Sequence, residues 1–276
     1  LHVTFLHRNG NSPAGGCSVV LGRAGRKFWG DGYSLGENER RTVEGMHGMT
    51  AFHFGSRRRR LFGYYEPALD ETGKARSVLL CYPLGNEQVF AYRTMRQLAA
   101  RLASGGHHVL RFDYFGTGDS YGESGEGDLA GWCEDIETAI DEIKEISGAA
   151  TVNLAGLRLG ANLAARVAVN RRKDISKLIL WEPLEADEIA SAGIPAASSE
   201  PKSKLAEDFA KEAIAGKAQS LPAKTMVLLT EQSRAPLDFG ALTVQNVPDM
   251  SAWDEERLNS GSIPVEAVQR IVDWLQ

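Results

Sequence analysis

Arg158 stands at the centre of Gly156-Leu157-Arg158-Leu159-Gly160, between the apolar run 151–155 and the helix-like stretch 162–170. Two glycines four residues apart let a chain turn sharply from strand to helix. The helix that follows aims its free N–H groups at whatever lies before it, and those groups favour negative charge. A guanidinium at such a point can recognise but cannot attack. It stays protonated, with a pKa above about 12, and offers five donors in a fork that suits a carboxylate or a phosphate. Proton transfer would need a base, and all six histidines (His2, His7, His47, His53, His107 and His108) precede Arg158.

Other chemistry-bearing residues read as structural. Asp113 and Ser120 bound a Gly-rich stretch, where such side chains bond their own backbone. His107 and His108 precede an apolar strand, one expected to face solvent and the other to pack, with too few partners for a metal site. Asn86 and Glu87 read equally well as pocket residues or as the opening of a helix. Gly116-x-Gly118 is too short for a dinucleotide fingerprint, and no Gly-rich loop ends in Lys-Ser or Lys-Thr. No cofactor and no metal is expected.

The elements that must hold these residues alternate. Short strands are expected at 51–55 and 61–66, around the run Arg57-Arg58-Arg59-Arg60, which reads as a solvated turn. Continuous apolar strands follow at 77–82, 109–112, 151–155 and 178–181, with the last two at 225–230 and 242–247. Between them lie helices. One has Phe90, Met95, Leu98, Ala99 and Leu102 on its buried face and stops at Gly105-Gly106; the next repeats Leu129, Trp132, Ile136, Ile140 and Ile143. A closing helix takes Pro264 in its first turn and buries Val265, Val268, Ile271, Val272 and Leu275. Trp132 and Trp274 are read as core. Apolar strands separated by amphipathic helices mean a mostly parallel sheet covered on both faces, an α/β fold. Residues 184–222 break the rhythm; Leu205, Phe209 and Ala213 suggest one amphipathic helix in a cap-like insert.

The first 48 residues are rich in Gly, Arg and Asn and show no helical or strand periodicity. Three readings stay open: a disordered leader, a fragment of an upstream element, or non-coding sequence translated ahead of a true start at Met46 or Met49. The third fits the ordered pattern that begins after Met49, which makes 49–276 the folded domain. At 276 residues one large core suffices. A net charge of -5 gives no reason to expect a nucleic-acid partner. No stretch is apolar for the length of a membrane span. Cys17, Cys81 and Cys133 make no disulfide framework, which suits reduced thiols in the cytoplasm.

Four stretches resemble landmarks of the α/β-hydrolase superfamily, in the branch of serine aminopeptidase S33-like and exosortase A-associated hydrolases. Phe52-His53-Phe54-Gly55 with Leu61-Phe62-Gly63-Tyr64-Tyr65 resembles its opening strands. Tyr82-Pro83-Leu84-Gly85-Asn86-Glu87 resembles its oxyanion-hole loop, and residues 111–120 its D-x-x-G-x-G-x-S loop. Gly156-Leu157-Arg158-Leu159-Gly160 occupies the slot of the G-x-S-x-G nucleophile elbow.

The resemblance implies a triad in the chain order nucleophile, acid, histidine. Here Arg158 fills the nucleophile slot, Glu231 or Asp238 the acid slot, and the loop 248–253 that should carry the base holds no histidine. A degenerate triad is the expectation, and with it a non-hydrolytic protein binding an anionic or acyl ligand through Arg158, Leu159, Leu84 and Gly85. The bland reading has Arg158 filling the dead pocket and pairing with an internal acid such as Glu231 or Glu182. Two other functions stay open: a hydrolase of ester, thioester or amide bonds with a non-standard apparatus, and an interaction protein, a homodimer through the segment 184–222.

Overall fold

The computed structural model describes residues 48–70, 73–184, 188, 218–222, 224–230, 242–248, 253 and 263–276, and the backbone of Val19–Leu21 (β1) and Lys27–Trp29 (β2). β1 and β2 pair antiparallel. They are three residues each, too short for an alternating pattern to register in the sequence.

The main sheet has eight strands: Thr50–Gly55 (β3), Arg60–Glu66 (β4), Ser77–Cys81 (β5), His108–Asp113 (β6), Val152–Leu157 (β7), Ile175–Trp181 (β8), Thr225–Thr230 (β9) and Thr243–Val247 (β10). Their order is β10-β9-β8-β7-β5-β6-β4-β3. Pairing is parallel from β10 to β6 and antiparallel through β4 and β3. Among the described residues four long α-helices follow the chain: Asn86–Ser104 (α1), Leu129–Ser147 (α2), Leu159–Asn170 (α3) and Val265–Leu275 (α4). The mostly parallel sheet and its helices are an α/β-hydrolase fold.

Chain direction decides which face each helix covers. From β5 the chain moves outward through α1 to β6, then returns through α2 to β7 and continues through α3 to β8. Right-handed crossovers therefore set α1 on one face and α2 and α3 on the other. α1 packs on α4, and α2 on α3. Every residue of β5 and β7 is buried, as strands covered on both faces must be. The direction reverses between β5 and β7, the kind of switch point at whose carboxyl ends open α/β sheets bind their ligands. The loop after β5 carries Leu84 and Gly85; the turn after β7 carries Arg158.

Several expectations need correction. His107 and His108 are both buried, 1% and 5% exposed, so neither faces solvent. His108 Nδ1 shares a hydrogen bond of 2.6 Å with Tyr65 Oη and stacks on its ring. Burial and the nearby Arg76 hold the His107 imidazole below its usual range. Arg59 is not a solvated turn residue. It donates to Asp135 on α2 through Nε (2.5 Å) and Nη2 (3.0 Å), and lies 4.5 Å over the Phe115 ring. Phe90 is half-buried, Val265 is exposed and Trp274 is only half-buried, each lying off the buried arc of its helix. Pro264 precedes the first turn of α4, as its N-cap.

An ion-pair network ties α2 to the α3–β8 connection. Asp174 accepts from Lys144 and, at 2.7 Å, from Arg171, which also reaches Asp141 at 2.6 Å. Hydrogen bonds from Lys144 and then Arg171 hold the Asp174 carboxyl below the usual carboxylate range. A depressed folded-state value contributes stability above the unfolded value near 3.9, and that contribution is lost as pH falls through the folded value. Asp174→Asn is expected to cost about 1 kcal/mol, a few degrees of melting temperature, at pH 7. The gap should close as melts are repeated at successively lower pH below about 4.

Candidate functional site

The turn after β7 is built as a strained elbow. Arg158 has φ 54 and ψ -124, a backbone conformation that L side chains rarely adopt. Its neighbours hold it there. Arg158 N–H donates to Trp181 O at 2.9 Å, and Arg158 O accepts from Ala161 N–H at 2.9 Å, the start of α3. A Cβ on Gly156 would come within 2.4 Å of Gly160 O, and one on Gly160 within 2.3 Å of Tyr82 O. Only glycine lets β7, α3 and the β5 exit approach this closely. A second strained residue stands beside it, Glu182 at the exit of β8, with φ 46. Each such residue costs on the order of 1–3 kcal/mol and persists where the surroundings over-determine it.

The guanidinium of Arg158 is turned inward, and the residue is only 9% exposed. Nε donates to Glu87 Oε1 at 3.1 Å, Nη1 lies 3.5 Å from Glu188 Oε1, and the Trp253 ring sits 4.8 Å from the guanidinium carbon. Arg158 thus has internal acid partners, Glu87 of α1 and Glu188 of the segment 184–222. Glu182, one of the two internal partners expected from sequence, accepts the Thr230 backbone N–H. Glu231 and Asp238 lie outside the described residues, as do Leu205, Phe209 and Ala213. Leu84 and Leu159 are buried at 1% each, so neither presents its side chain at the surface. Gly85, with φ 68, caps α1.

Sequence reasoning missed Glu188 and Trp253. Nothing distinguishes Glu188 from the other acids in its polar stretch. Trp253 did carry a signal: it is an aromatic residue in the loop after the last strand, where the base of a triad would stand. It packs against the core instead and supplies a π face to the arginine. For Glu87, contact with the site wins over the helix-opening role alone.

No other described group is a ready nucleophile. Ser120 Oγ donates to Asp113 O at 2.5 Å and accepts from Phe62 N–H at 2.8 Å, and Asp113 takes Gln88 Nε2–H and Asp119 N–H. Both residues shape the loop. Cys81, at the end of β5, is free and fully buried, and that burial pushes its thiol up to about 12. The described residues contain no cluster of three or more His, Cys, Asp or Glu able to hold a metal ion, and no helix long and apolar enough to cross a membrane.

The family model for serine aminopeptidase, S33, matches residues 88–232, just over half of the chain. The chain belongs to that family. The matched span of this S33 chain runs from α1 to the exit of β9, and so includes the elbow and its arginine. No curated protein matches it in sequence. Among solved structures it is similar to Est1E from Butyrivibrio proteoclasticus with ferulic acid bound, at 16% identity and TM-score 0.60, over 82% of this chain and 99% of that one. An esterase of Pyrococcus furiosus gives 15% identity and TM-score 0.58, over 83% and 92%. The enol-lactonase of Burkholderia xenovorans gives 14% identity and TM-score 0.54, over 81% and 99%. At these identities the likeness shows the shared α/β-hydrolase fold.

Proposed function

We propose that this S33 family member is a non-hydrolytic protein that binds a carbonyl compound at its elbow instead of cleaving it. The observation that supports this is the fate of the central residue: Arg158 takes up the strained elbow conformation while its guanidinium is bound by Glu87 and Glu188 and lies against Trp253. A permanently protonated group cannot form an acyl intermediate. The loop after β10 offers no imidazole to accept a proton. Two carboxylates, Glu87 and Glu188, already hold the arginine, and a third, Glu182, is buried at the exit of β8. A free anion must therefore displace a glutamate from Arg158 against that field, which favours the acyl over the anionic form of the ligand.

A fluorophosphonate probe is expected to leave the protein unlabelled, and 4-nitrophenyl acetate and butyrate to hydrolyse at the buffer rate. Arg158→Ser alone should stay at that rate, because restoring a hydroxyl does not restore the base that must take its proton. Stoichiometric labelling of the parent, or saturating turnover by it, contradicts the proposal.

A further inference from the structure

Three polar groups toward the carboxyl ends of β8 and β9 and at the middle of β10 are buried with no hydrogen-bond partner among the described residues: Trp181 Nε1, Thr230 Oγ1 and Gln245 Oε1. Trp181 closes β8 and Thr230 closes β9, with 2% and 3% exposed. The strand register sets all three on one face. Trp181 pairs with Leu228, and Leu228 with Gln245. Thr230 lies two residues beyond Leu228, so its side chain emerges on the same side. Neighbouring strands are ~4.8 Å apart, which makes the row about 10 Å wide from Trp181 to Gln245. It adjoins the elbow, since Trp181 O accepts the Arg158 N–H.

Leaving a buried donor or acceptor unpaired costs about 1–3 kcal/mol each, and native proteins hold few such groups. Three in one register row are an arrangement that a partner would satisfy. We propose that this row binds a small neutral carboxamide. The indole N–H can only donate, Gln245 Oε1 accepts, and the Thr230 hydroxyl does either. A ligand answering all three needs an acceptor and a donor on neighbouring atoms, and a carboxamide has both in one plane. Its carbonyl oxygen takes the Trp181 N–H, its N–H meets Gln245 Oε1, and Thr230 bonds either end. The charged isostere, a carboxylate, has no N–H for Gln245 and would lie beside the buried Glu182. Leu228 between the two outer residues gives an apolar floor for the rest of the ligand.

This inference rests on the reading of the chain as a binding protein, so its test reports on both. Benzamide is titrated into the ¹⁵N-labelled full chain while the Trp181 indole N–H resonance, assigned through Trp181→Phe, is followed. The expected result is a saturating shift of that resonance, at least tenfold weaker in Thr230→Val and in Gln245→Leu. Benzoate, equal in shape but charged, should bind the parent at least tenfold more weakly. No saturating shift with benzamide, or equal affinity for benzoate, overturns the proposal, and this comparison needs only the parent protein. Hydrolysis of 4-nitrophenyl butyrate is measured on the same samples. Turnover together with the shift upholds the row and overturns the non-hydrolytic reading; turnover without the shift overturns both.

Discussion

Gly160→Ala is expected to leave the chain unfolded or insoluble. A Cβ at this position would lie 2.3 Å from Tyr82 O and 2.4 Å from Cys81 O. Both obstacles are backbone, at the exit of β5, a strand hydrogen-bonded on both sides to β6 and β7. Neither can rotate away as a side chain tip could. Overpacking against atoms that can yield typically costs 1–3 kcal/mol, and here the loss should exceed about 3 kcal/mol from a total stability of roughly 5–15 kcal/mol. Gly148→Ala is the matched control. Its Cβ meets nothing within 4 Å, although the residue is left-handed with φ 70. That change should cost about 1 kcal/mol. Thermal melts by circular dichroism decide: a Gly160→Ala midpoint within a few degrees of the Gly148→Ala midpoint would mean that the elbow is not packed as described.

Arg59→Ala should be the other severe change, although Arg59 lies in a surface turn and its side chain is 28% exposed. Its partner Asp135 is fully buried on α2 and also accepts Phe115 N–H at 2.9 Å. Burial already raises the Asp135 carboxyl above its usual range, and the hydrogen bonds from Arg59 and Phe115 work against that. Removing the guanidinium strands a buried carboxylate, at a cost of about 3 kcal/mol or more. Arg59→Ala with Asp135→Ala removes the stranded charge and should recover part of the loss. Denaturant midpoints of the two single variants and the double variant give the coupling energy by a mutant cycle. A coupling below about 0.5 kcal/mol would mark the pair as an ordinary surface ion pair.

The same two sites show what the sequence carried and what it hid. The alternation of apolar strands with amphipathic helices was legible because each element's period is local, and β5, α2, β7, α3 and β9 formed where their runs lie. The elbow was legible because glycines four residues apart have few other uses between a strand and a helix. Partner choice was not. Arg59 reaches Asp135 across 76 positions and Arg158 reaches Glu87 across 71, and no local pattern encodes separations of that size. His107 failed for a related reason. Its burial depends on elements distant in sequence, while its own dipeptide reads as polar.

The left-handed bend at position 158 has a consequence of its own. Its shape is set by Gly156, Gly160, the Trp181 carbonyl and the first turn of α3, none of which is the side chain on display. The mount and the tool are separable. Selection could exchange the functional head at this post without redrawing the scaffold, because the bend does not consult the residue it carries.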